Sequence, residues 1–74
     1  MPDNSLQIQV GKRIQKLREI KGISQQDLAA KCNFEKSNMS RLETGRVNPS
    51  LSTLEKVAKA LEVNIVELFP AQSK

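Results

Sequence analysis

The sequence contains no histidine, no tryptophan and no tyrosine, and its single cysteine is Cys32. One cysteine excludes an internal disulfide, and without histidine a zinc site lacks too many of its ordinary ligands. The same gap removes the commonest member of acid–base and nucleophilic pairings, so neither an enzyme nor a bound cofactor is expected. Phe34 and Phe69 are the only aromatic residues, too few for the aromatic-bearing face of a helix that lies on a membrane. No apolar run approaches the roughly 18 residues of a membrane span and the N-terminus has no apolar signal-peptide core, so a cytoplasmic protein is expected. A chain of 74 residues buries roughly 60% of the surface its unfolded form exposes, which gives one small domain without room for a large cleft. No repeat, low-complexity run or interdomain linker interrupts it.

What is present is basic charge, unevenly placed. The net charge is +4. Between residues 12 and 46 nine basic side chains (Lys12, Arg13, Lys16, Arg18, Lys21, Lys31, Lys36, Arg41, Arg46) face four acidic ones (Glu19, Asp27, Glu35, Glu43). From Val47 onward three lysines meet three glutamates. An excess confined to the first two thirds is what a surface facing phosphate needs, whereas solubility alone requires no such segregation.

Residues 24–45 read as two short helices joined by a tight turn. Ser24 is placed to cap a helix over about 25–32, with Asp27 in its first turn and Ile23 and Leu28 at the spacing of a hydrophobic staple. Leu28, Ala29 and Cys32 give that helix a narrow apolar face of small residues against which another helix can cross closely, and they assign Cys32 to packing rather than redox chemistry. Asn33 suits a left-handed helix end. Phe34 and Met39 repeat the staple around a second helix over about 36–44, with Glu35 in the cap position, Met39 and Leu42 facing inward, and Gly45 as the stop. The outward side chains, Lys36, Ser37, Asn38, Ser40 and Arg41, all donate hydrogen bonds. Such side chains match base edges in a DNA major groove: arginine or lysine to guanine, asparagine to adenine, serine to several bases. Lys36, Ser37, Asn38 and Arg41 are the expected base readers, with Ser40 nearer the backbone. Gln25, in the first turn of the preceding helix, has an amide placed for a phosphate oxygen where the helix amides add partial positive charge. The plain alternative is a solvated helix face.

The string SQQDLAAKCNFEKSNMSRLETGRVNPS resembles the Cro/repressor-type (XRE) helix-turn-helix family of bacteria and their phages. The resemblance rests on Gln25, Leu28, Ala29, Ser40, Glu43, Gly45, Pro49 and Ser50 and extends through Leu68. Asn33 stands where the family more often has glycine, and Glu35 where it more often has a serine, threonine or aspartate cap. The resemblance implies an all-α, five-helix fold of the phage-repressor type and sequence-specific binding of double-stranded DNA as a small transcriptional regulator. It further implies an ion pair between Arg18 and Glu43, and phosphate contacts from the loop after the second short helix. Arg13, Gln25, Ser40, Thr44 and Arg46 make up the expected phosphate-binding set.

The remaining helices are expected at about 6–21, 53–61 and 65–69. Ser5 is placed to cap the first, and Leu6, Val10, Ile14 and Leu17 form its stripe, with Gly22 as its stop. Ser52 and Glu55 have the spacing of a capping box for the fourth, which carries Leu54, Val57, Ala58 and Leu61 inward; Asn64 and Glu67 have the same spacing before the fifth. On an α-helical wheel Ile65, Val66, Leu68 and Phe69 cover an arc wider than one small domain buries. A twofold homodimer through Ile65, Val66 and Phe69 is therefore expected, with a near-palindromic operator, unless Phe69 folds back onto the first helix. A restriction-modification controller, an antitoxin with a toxin partner, or an autoregulatory repressor would each fit. A protein-bridging module on the same fold, without specific DNA readout, is the reading from another class.

Overall fold

The computed structural model describes residues 5–70, and every regular element among them is helical. Four α-helices, α1 (Ser5–Ile20), α2 (Gln25–Cys32), α3 (Lys36–Glu43) and α4 (Leu51–Leu61), are followed by a single 3₁₀ turn, Ile65–Leu68. The tail expected at residues 1–4 lies outside the described residues. Helix α1 begins at Ser5 itself rather than after it. Its stripe buries Val10, Ile14 and Leu17, while Leu6 at the end remains 53% exposed.

The central pair forms as its local chemistry dictates. The Asp27 amide donates to Ser24 Oγ at 3.0 Å, closing the first turn of α2. Asn33 ends that helix in the left-handed region (φ 60°, ψ 39°), and the Phe34 amide reaches back to Ala29 O at 2.8 Å. Glu35 occupies the N-cap of α3 without a side-chain cap bond, because a serine-like hydroxyl is missing there. Leu28, Met39, Ile14, Leu61 and Leu68 are fully enclosed where the helices meet. Each such side chain contributes about 1.5–3 kcal/mol of transfer free energy.

Two expectations near the C-terminus are corrected. Helix α4 starts at Leu51, two residues early, because Ser50 and not Ser52 is its cap: Ser50 Oγ accepts from the Thr53 amide at 3.1 Å, and Ser52 instead shares a hydroxyl contact with Ser50. Pro49 keeps Asn48 out of helical backbone, and Ser50 is itself extended (φ −73°, ψ 163°), the conformation of an N-cap. The fifth α-helix is a 3₁₀ turn, and Asn64 makes no side-chain cap bond to it. The reason is length. Phe69 is extended ahead of Pro70, so only four residues remain, and these close by Glu67 N–H to Asn64 O and Phe69 N–H to Val66 O. In this tighter winding Ile65 and Leu68 stack inward, whereas Val66 is 70% exposed.

Candidate nucleic-acid interface

Helix α3 buries Met39, Leu42 and Glu43 and turns its remaining side chains outward. At about 100° per residue, Ser37 and Arg41 lie about 40° apart at the centre of the outer face. Asn38 sits at one edge, beside Leu42, and Lys36 and Ser40 at the other, beside Glu43. Lys36, Ser37, Asn38 and Arg41 are exposed and Ser40 is half-buried, so the structure brings all five donors onto one helix. Arg41 Nη1 donates to Asn38 Oδ1 at 3.2 Å.

The Glu43 edge of α3 is fixed by a buried cluster. Glu43 is 3% exposed. Arg18 of α1 grips its carboxylate with both Nε and Nη2, at 2.9 and 3.2 Å, and donates from Nη1 to Ile23 O at 3.0 Å. Gln25 Nε2 donates to Glu43 Oε1 at 3.1 Å. Four charge-bearing or polar groups from α1, α2, α3 and the intervening turn are thus tied together, and both carboxylate oxygens find donors, Oε2 one and Oε1 two. The pairing sets which way Gln25 faces. Turning its amide over would aim an oxygen at the carboxylate, so one N–H of Nε2 remains for an outside acceptor.

The opposite edge of α3 is bordered by the loop at residues 44–50. Gln7 of α1 donates from Nε2 to Val47 O at 2.9 Å and Gly45 O at 3.3 Å, holding the backbone on both sides of Arg46. Arg46 itself is exposed, with its backbone N–H bonded to Arg41 O at 2.9 Å. Gly45 is left-handed (φ 76°) and its α-carbon lies so close to Ile8 that an added Cβ would stand 2.6 Å from Cγ1. Between α3 and this loop, Phe34, Asn38, Leu42, Val47, Pro49 and Thr53 line an open cleft of about 280 Å³.

Two members of the expected phosphate set stand differently. The Thr44 hydroxyl donates to Ser40 O at 2.8 Å and leans on Arg41 O, so its proton is spent on the end of α3. Arg13 is about 200° around α1 from Gly11, the residue that meets α3, and its Nε donates to Glu67 O at 2.8 Å. It tethers the 3₁₀ turn on the far side from the donor face. Sequence reasoning missed Gln7, whose role depends on a loop 38–40 residues away. It also missed Gly11, where an added Cβ would lie 2.5 Å from Glu43 O and 2.6 Å from Leu42 O. A glycine inside an otherwise helical stripe was the available signal.

An exposed donor-bearing helix, packed across a second helix through a tight turn and braced from a third, defines the helix-turn-helix class of recognition unit. The chain belongs to the helix-turn-helix family, whose sequence profile matches residues 14–68. It is 42% identical over 59 residues to an uncharacterised HTH-type transcriptional regulator, y4dJ, of Sinorhizobium fredii, covering 80% of this chain and 77% of that one. Its fold is similar to the restriction-modification controller protein C.AhdI of Aeromonas hydrophila (TM-score 0.81, 37% identity, 84% of this chain and 94% of that one). It is also similar to SinR of Bacillus subtilis, the master regulator for biofilm formation, solved in complex with DNA (TM-score 0.74, 40% identity, 80% and 95% covered).

Proposed function

We propose that this chain is a sequence-specific double-stranded-DNA-binding transcriptional regulator that acts as a twofold homodimer. The observation that carries it is the arrangement around α3: a face on which every side chain can donate a hydrogen bond, bracketed on one edge by the start of α2 and on the other by the Arg46 loop. A helix lying in the major groove has a phosphate strand on each side, and those two edges are where backbone contacts are needed. The likeness to a controller protein and to a regulator solved on DNA supports the same reading. In it Arg41 and Ser37 read bases from the centre of the face, Lys36 and Asn38 from its edges. Ser40 and Gln25 meet one phosphate strand and Arg46 the other. Thr44 joins them only if its hydroxyl turns away from Ser40 O.

Selection of duplex sites from a random pool tests it directly, and an enriched near-palindromic motif is the expected result. Arg41→Ala should then cost about 1–3 kcal/mol of discrimination at one base pair per half-site. Arg46→Ala should weaken every sequence alike and lower the slope of log affinity against log salt by about one phosphate's worth. A pool that yields no motif would favour the bridging-module reading.

A further inference from the structure

The bond between Arg41 and Asn38 has a consequence for how the face reads DNA. A guanidinium has only donors, so the carboxamide atom facing Arg41 Nη1 must be the oxygen, and the orientation of the Asn38 amide is thereby determined. The bond uses Nη1 and leaves the Nε–Nη2 edge of Arg41 open. That edge is the one with which Arg18 makes its two-pronged contact to Glu43 in this same molecule, and it matches the O6 and N7 acceptors of guanine. Asn38 and Arg41 are about 60° apart on the helix, so the amide stands beside the guanidinium and can set its direction.

We propose that Asn38 is a positioning residue for Arg41, and that the two read a guanine-containing step as one unit rather than as separate readers of adenine and guanine. Asparagine reads adenine by accepting from N6 and donating to N7. Here the oxygen is turned toward Arg41, and swinging the amide round to lay both its oxygen and its nitrogen along an adenine edge would break that bond, which inside a groove that has shed its water is costlier than on the free surface. Asn38 therefore acts on selectivity through the arginine, and its Nδ2 serves a neighbouring acceptor as a donor only. This rests on the DNA-reading role of α3 proposed above.

The test is site selection followed by affinity measurement on the selected duplex and on duplexes substituted at each position, for wild type, Asn38→Ala, Asn38→Asp, Arg41→Ala and the Asn38→Ala/Arg41→Ala pair. Both residues are exposed, and matching unfolding transitions show that the variants fold. Asn38→Ala should lower the preference for guanine at the Arg41 base pair about two- to tenfold, the range that one hydrogen bond supplies. Asn38→Asp retains the acceptor and should keep that preference, expressed as a ratio between duplexes, even as its charge weakens binding to all of them. In the Arg41→Ala background Asn38→Ala should add nothing at that base pair. If Asn38→Ala instead leaves the guanine preference intact and abolishes an adenine preference elsewhere, Asn38 is an independent reader and the unit is rejected while DNA reading stands. If the wild type selects no motif, the DNA-reading role and this inference fail together.

Discussion

Removing Arg18 would leave the Glu43 carboxylate, 3% exposed, with Gln25 as its one remaining side-chain donor. A buried charge that loses its partner costs far more than the intact pair contributes, so Arg18→Ala should destabilise the fold by about 3–5 kcal/mol. Urea unfolding measures this, and a loss below about 1 kcal/mol, the value of an exposed pair, would place the pair in effective contact with water. Gly11→Ala tests the neighbouring contact. Alanine improves intrinsic helix propensity by about 1 kcal/mol, but its Cβ would meet the backbone oxygens of Leu42 and Glu43 at 2.6 and 2.5 Å. Backbone cannot move as a side chain does, so the substitution should be net destabilising by about 1–3 kcal/mol, and a raised melting temperature would show that α1 and α3 can part without loss. Burial pushes the Cys32 thiol above its ordinary value of 9.0, against the pull of Lys56. The neutral thiol is favoured by the folded state, so this contribution is complete below pH 9.0 and is lost as pH rises through the raised folded value. Cys32→Ala should flatten the alkaline fall in stability over that window. At this scale the sequence was legible where a residue type carries its own geometry, as with Ser24 and Asn33. It was illegible where the partner is far along the chain, as with Gly11 and Gln7, because neither spacing nor propensity encodes which backbone will approach.

Helix ends decide how the recognition helix is presented, and most of them are written locally. Ser24, Asn33 and Gly45 mark the limits of α2 and α3 through caps whose bonds join residues at most five apart, which is why those helices could be bounded from sequence. The start of α4 was misread: Ser52 and Glu55 match a capping box more fully than Ser50 does, yet Ser50 is the serine with extended backbone whose Oγ takes the Thr53 amide, so the helix starts from the earlier one. The last element was misread for a related reason: an apolar run of α-helical appearance was cut to four residues by Pro70. One helix end remains unfavourable. Glu62 closes α4 in the left-handed region (φ 60°, ψ 44°) with a side chain that region disfavours. Left-handed backbone costs about 1–2 kcal/mol for such a residue, of which glycine's greater unfolded freedom takes back part, so Glu62→Gly should stabilise the protein by about 0.5–1 kcal/mol. Thermal unfolding checks it, and a destabilised variant would mean that the Glu62 side chain makes a compensating contact.

The principal extents are 33 × 25 × 20 Å, and the described residues offer one exposed donor-bearing helix, α3. Successive major grooves on one face of DNA are about 34 Å apart, so a single copy engages one groove, and a twofold pair is the economical way to engage two. The surface left for such pairing is smaller than an α-helical reading of residues 65–69 suggested. Leu68 is fully buried, and Phe69 is half-buried in a groove with Leu6, Val10, Leu51 and Leu54, folded against α1 and α4. Val66, at 70% exposed, and Leu51, at 71%, are what remain open, with Leu6 beside the groove. Arg13 holds the 3₁₀ turn that carries Val66 through its bond to Glu67 O, so this surface is tied to α1 although it lies in the last described turn. Val66 is largely exposed, so Val66→Asp should leave the unfolding free energy within about 0.5 kcal/mol of wild type. It should nevertheless convert a dimer to a monomer in sedimentation at micromolar concentration. Two half-sites joined by a dimer bind with an effective concentration that a monomer forfeits, so affinity for the full operator should drop by about 10²-fold or more, with half-site preference unchanged. Arg13→Ala should shift the dimer equilibrium in the same direction while leaving the salt slope of DNA binding as it was. A wild type that sediments as a monomer, or a Val66→Asp variant that still pairs, would locate any dimer contact elsewhere than the 3₁₀ turn.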